Sequence, residues 1–210
     1  MTGFRHLLAW LLLGGLVVVG AGAAVLGVAQ APNNAPLLKA VTNTLAAPNY
    51  SQVLVERASQ GRQSEYLVWQ APDRLGGYIQ SGNRRSYVYV IGSNQYQSLT
   101  VLAGTPTNRL TFYRQTGQGA VNFDPAHGYL PYATQVKNPT QSGSTYSFSV
   151  TKQGQTGTFT YTVSGQYVSQ FTLSAPGTSI RLDISHVGTS PPVKLPAGAK
   201  VVTAPSGSAR

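Results

Sequence analysis

The strongest constraint on this chain lies between Thr145 and Ser185, where apolar and polar residues alternate with a period of two in four successive runs. Tyr146, Phe148 and Val150 alternate with Ser147, Ser149 and Thr151. Phe159, Tyr161 and Val163 alternate with Thr158, Thr160 and Thr162. Phe171 and Leu173 alternate with Gln170 and Thr172. Ile180, Leu182 and Ile184 alternate with Arg181, Asp183 and Ser185. Successive side chains of a strand point to opposite faces, so each run predicts a strand with one apolar and one wet face. Such strands belong to an antiparallel sheet covered on one side.

Weaker alternation bounded by turn residues continues upstream. It predicts strands at 51–58, 63–70, 74–80, 85–91, 95–101 and 109–115, and then 145–152, 158–163, 167–174 and 179–185. The spacing reads as a meander of antiparallel strands. Two helical segments interrupt the pattern. Leu37, Leu38, Val41 and Leu45 share one helical face over 36–45, and Pro48 ends that helix. In 122–136, Asp124 followed by Pro125 is a helix start, with Asp as cap and Pro at the first position. These segments alone are short cover for about ten strands. The sheet is therefore expected to curl around a partly covered apolar hollow, a place for a lipid-like ligand.

Composition narrows the chemistry. The 210 residues include no cysteine, which excludes disulfides, thiolate metal sites, a Cys nucleophile and lipid attachment through a lipobox. Three histidines, His6, His127 and His186, are too few for a His-rich metal site. Fifteen Lys and Arg oppose five Asp and Glu. The bases are dispersed, and an exported domain meets anionic headgroups or acidic polymers sooner than nucleic acid.

Export is expected because residues 7–28 carry no charge, a run of 22 residues that as a helix spans about 33 Å. Arg5 precedes it and no Lys or Arg follows before Lys39, which places the N-terminus in the cytoplasm and the remainder outside. A cleaved signal is the competing reading, with Ala29-Gln30-Ala31 as the site. Pro32 would then follow the cut, and the apolar run exceeds a usual signal core. The expected organisation is an anchor or signal at 1–31, a linker at 32–36, a domain at 37–196 and a flexible tail at 197–210.

Several pieces of the exported part carry a resemblance: Ala71-Pro72-Asp73-Arg74, then Val90-Ile91-Gly92-Ser93-Asn94-Gln95-Tyr96, then Gly165-Gln166-Tyr167-Val168. Near the end come Ile184-Ser185-His186-Val187-Gly188 and Val193-Lys194-Leu195-Pro196. In order and spacing they resemble the periplasmic lipoprotein-carrier superfamily of LolA and LolB, the envelope lipoproteins LppX and LprG, and a domain of RseB. The resemblance implies a mainly β (α+β) fold, an open curved antiparallel half-barrel with helices on its concave face, and the carrying or sensing of acyl chains. The actinobacterial relatives are lipidated on a Cys that this chain lacks, so a transmembrane helix would replace the lipid anchor.

Catalytic constellations are poor. Asp183, Ser185 and His186 are close in sequence, but a strand sends His186 to the face opposite the other two. Glu56 and Glu65 can face each other across the first hairpin, each with an Arg nearby. His127 reads as a surface or capping group. The expected ligand wall is Tyr146, Phe148, Phe159, Tyr161, Phe171, Leu173, Ile180, Leu182 and Ile184. The expected function is a membrane-tethered, extracytoplasmic binder or carrier of lipid or lipoprotein acyl chains. It is read as a monomer that is not an enzyme and uses no cofactor, metal or nucleic acid. The alternative is an envelope sensor or a domain that binds another envelope protein.

Overall fold

Among the residues described by the computed structural model (34–203, except Gln60, Gln118, Lys137 and Gln153), thirteen strands form one sheet. The expected anchor at 1–31 and the end of the chain from 204 lie outside the described residues, as do Pro32 and Asn33 of the expected linker, while its Ala35 and Pro36 belong to the first helix. No helix among the described residues is long and apolar enough to cross a membrane.

The first block comprises β1 (Asn49–Ala58), β2 (Gly61–Gln70), β3 (Arg74–Ser81), β4 (Arg84–Ile91), β5 (Asn94–Ser98), β6 (Val101–Leu102) and β7 (Thr111–Thr116). The second comprises β8 (Thr140–Ser142), β9 (Thr145–Lys152), β10 (Gln155–Ser164), β11 (Tyr167–Ala175) and β12 (Thr178–Ser185), with β13 (Lys200–Thr203) last. Their order is β13-β7-β5-β4-β3-β2-β1-β12-β11-β10-β9-β8, with β6 beside β4. Two antiparallel meanders therefore join where β1 pairs with β12. The edges β13 and β8 do not meet, and the curved sheet stays open. The expected β-rich class holds.

Before β1 stands α1 (Ala35–Leu45), with Pro36 in its first turn. Leu37, Ala40, Val41 and Thr44 form its buried face, at the helical spacing of three and four. Between the meanders the chain crosses the concave face through α2 (Pro125–Tyr129) and the 3-10 turn Leu130–Gln135. Asp124 caps α2 as expected, its side chain accepting from the His127 N–H. Helix α1 packs against β10, β11 and that 3-10 turn.

Three details differ from the sequence expectation. The strand expected at 95–101 is divided. Gln97 pairs with Val88 but Val101 with Arg85, a one-residue slip. The extra residue makes a bulge there, and Leu99 beside it is 64% exposed. The strand expected at 109–115 begins at Thr111, after a 3-10 turn at Thr107–Arg109. Part of the expected tail is also built in: β13 pairs parallel with β7, where an edge strand offers unpaired backbone groups. Leu195 and Ala199, just before it, pack on a second apolar cluster of Tyr87, Leu110 and Phe112.

The β1–β2, β3–β4 and β11–β12 turns lie at one end of the sheet, since Ala58 faces both Gly61 and Thr178, and Gln63 faces Ser81. We call this the tip end. Several of the resembling pieces gather at the other end. There the Gly92 N–H donates to Asp73 O (3.1 Å), Asn43 Nδ2 to Gln166 O (3.1 Å) and the Gly188 N–H to Asn49 O (2.9 Å).

Candidate functional site: the concave face and its cover

Register places the nine expected wall residues in contiguous rows. Phe148, Phe159, Leu173 and Ile180 are successive cross-strand partners. So are Tyr146, Tyr161, Phe171 and Leu182, and Ile184 lies two residues along β12. Aromatic rings do much of the packing. Phe148 stacks on Phe159 at 4.9 Å and 4°, and Tyr161 meets Phe171 edge-on at 5.1 Å. All nine lie in or against one apolar cluster, eight of them between 0% and 9% exposed and Phe148 half-buried.

The opposite face of β9–β12 is wet, as the alternation predicts. Hydroxyl pairs Ser147–Thr160, Ser149–Thr158 and Thr151–Thr156 line it at 3.1, 3.0 and 2.8 Å. Across β1 the concave face becomes mixed. Continuing the row of Ile180 come Glu56 and Gln63, and continuing that of Leu182 come Leu54, Glu65 and Ile79. Glu56 and Glu65 are thus diagonal neighbours. Tyr129 Oη donates to Glu56 Oε1 (3.4 Å), and Gln63 Nε2 to Glu65 Oε1 (3.2 Å).

The cover touches the wall through α1 and the crossover. Tyr129 stacks on Phe171 at 5.3 Å, and Tyr132 meets Phe159 at 6.1 Å. Beside them Leu130 and Ala133 are fully buried. Besides the Asn43 bond to Gln166, polar ties hold α1 at Thr44 and at its N-cap, Asn34. Thr44 Oγ1 accepts from the Val168 N–H at 2.9 Å, and Asn34 Nδ2 donates to Val136 O at 2.7 Å.

A buried polar cluster, which the sequence reading did not find, ties down the crossover. Asp124, 3% exposed, accepts from Tyr50 Oη and Gln52 Nε2 and faces His127 Nδ1. Gln52 Oε1 in turn accepts from the Ala126 N–H at 3.2 Å. The His127 ring lies 4.7 Å from Trp69, which stacks on Tyr50. His127 is therefore a packed member of the cover, beyond the surface or capping role expected of it. Burial, reinforced by the Asp124 charge, pushes the Tyr50 phenol well above its usual value. Burial does the same to Tyr161. The signal for this cluster was Gln52, a polar residue at an inward position of β1 between Tyr50 and Leu54.

The suspected catalytic groups go elsewhere. Arg181 Nε donates to both oxygens of Asp183 at 2.9 and 3.0 Å, and Gln170 Nε2 adds a third bond. His186 Nδ1 lies 3.0 Å from Ser185 Oγ on an exposed loop, with φ of 52°.

A one-layer curved antiparallel sheet, its concave face covered by a short helix and a crossover, defines the half-barrel class. A solved structure shares this fold. Mycobacterium tuberculosis lipoprotein LppX superposes with a TM-score of 0.50 at 13% identity, over 77% of this chain and 97% of LppX. LprF from Mycobacterium bovis gives 0.48 at 14% identity, over 78% and 95%. The chain is thus similar to LppX in fold. No protein family and no curated protein matches its sequence.

Proposed function

We propose that this chain is a non-catalytic, extracytoplasmic binder or carrier of lipid or lipoprotein acyl chains, held at the membrane by residues 7–28. The observation that carries the reading is the nine-residue apolar wall, whose cover is a helix and a crossover instead of a second sheet. The crossover meets the wall through Tyr129 and Tyr132, with Leu130 and the alanines at 120, 126 and 133 buried beside them. An acyl chain entering between wall and cover would replace those contacts at about 0.8 kcal/mol per buried methylene. Likeness of fold to a lipoprotein supports the envelope setting.

The low exposure of the wall favours a second reading. A concave face filled by its own side chains suits a sensor or protein-interaction domain of the envelope. Native mass spectrometry of the full chain, extracted with its lipids, separates the two. Co-isolated acyl lipid, and quenching of a fluorescent fatty acid that Phe148→Asp abolishes in a folded protein, support the binder. A wild type that carries no lipid and quenches no probe sinks it, and the interaction reading takes its place.

A further inference from the structure

The tip end carries an arrangement that ligand binding inside the half-barrel does not use. Arg57 and Arg62 stand directly opposite each other across the first hairpin. Like charges in that position repel and destabilise the pair, a cost that a bound anion relieves. Arg84 and Arg85 follow at the β3–β4 turn, and Arg109 ends the 3-10 turn before β7. All but Arg85 are exposed; Arg85 lies over the Tyr78 ring at 4.3 Å and donates from Nε to Gln80 Oε1. Among the described residues none of the five has an acidic partner. The acids lie elsewhere or inward: Glu65 and Asp124 are buried, Asp183 is held by Arg181, and Asp73 sits at the far end. Glu56 is half-buried on the concave face under Tyr129.

Two further features share this end. Leu99 and Leu102, beside the bulge, are 64% and 62% exposed. Leu102 is the register partner of Arg84, and the Ala103 N–H donates to Asn83 O at 2.7 Å. An open depression of about 420 Å³ is lined by Arg57, Ser59, Ser174, Thr178 and Ser179 together with the small residues Ala58, Ala175 and Gly177. Guanidinium groups and hydroxyls suit phosphate oxygens, and exposed leucines suit the boundary between headgroups and acyl chains.

We propose that the tip end docks on the surface of a bilayer containing anionic lipid, with Leu99 and Leu102 entering the headgroup region and the arginines meeting its phosphates. The sequence has no cysteine, so Leu102→Cys gives a single labelling site at an exposed position. The full chain with an environment-sensitive dye there is reconstituted into vesicles of phosphatidylcholine, alone or mixed with phosphatidylglycerol. The dye is expected to shift to the blue and to be quenched by a lipid-borne quencher only in the mixed vesicles, and high salt should reverse both. The same dye at Ser164→Cys, at the opposite end, should report water throughout. At about fivefold per basic residue near an anionic surface, Arg57→Gln with Arg62→Gln should weaken docking about 25-fold. Burial of the dye in both vesicle types, in neither, or at Ser164→Cys would overturn the proposal. So would equal protection by soluble polyglutamate without vesicles, which would point to an acidic polymer. The readout needs no acyl chain in the half-barrel, so its failure is distinct from failure of the lipid-binding reading.

Discussion

Asp124 gathers Tyr50, Gln52 and His127 around one buried carboxylate, and each of these groups loses an acceptor if it is removed. Asp124→Ala also deletes the cap of α2. It is expected to cost about 2–4 kcal/mol in urea unfolding, from the cap and the orphaned buried donors together. Tyr50→Phe tests the same cluster through pH. The folded-state pKa of Tyr50 is raised above its ordinary 10.0, so the native state holds a proton that the unfolded state releases. That contribution is fully present below pH 10 and is lost as pH rises beyond it. The wild type should weaken more steeply above pH 10 than Tyr50→Phe, and an unchanged alkaline slope would contradict the burial of this phenol. At the wall, Phe171→Ala should cost about 3–5 kcal/mol, since Phe171 is fully buried. Phe148→Ala should cost less, because its half-exposed ring leaves a smaller cavity. Residue by residue, the wall was legible because period-two alternation directly encodes which side chains share a face. The Asp124 cluster was not, because its two halves, Tyr50 with Gln52 and Asp124 with His127, lie more than seventy positions apart and meet only through the crossover.

The strands and α1 follow local rules, and most of their bounds could be read to within a few residues. β8 and β13 could not, being three and four residues long and stabilised by the edges they join. The bulge after β5 was likewise invisible, since a register slip belongs to the pairing of two strands and not to either sequence. β3 carries a tighter device in Gly76-Gly77. A Cβ on Gly77 would lie 1.9 Å from the Tyr66 carbonyl oxygen, at φ of 156°. A Cβ on Gly76 would lie 2.5 Å from the Tyr89 ring and 2.9 Å from Val193. Gly77→Ala should therefore cost about 2–4 kcal/mol, as backbone must shift. Gly76→Ala should be milder and should loosen the 190–199 segment, measurable as faster amide exchange there.

For the whole molecule, the anchor proposed at residues 7–28 separates two fates of the same domain. If residues 7–28 span the bilayer uncleaved, the protein keeps them and stays with membranes through a carbonate wash. A soluble form beginning at Pro32 would show that the signal is cut and the domain released. The sequence conveyed the half-barrel class through the order of its weak pieces, because these lie at turns whose spacing the fold constrains. It could not convey how the concave face is filled, which depends on where the crossover lands. One further consequence follows from the pairing of β1 with β12. Among the described strands, the one made first must wait for the twelfth before its second edge is closed. Through that interval β1, with Val53, Leu54 and Val55 side by side, offers an open edge to any other chain. Truncation before Thr178 should leave that edge bare, and such a product should aggregate or be held by a chaperone, whereas truncation after Thr203 should not. The order of synthesis thus makes this seam the step at which assembly is most exposed to error.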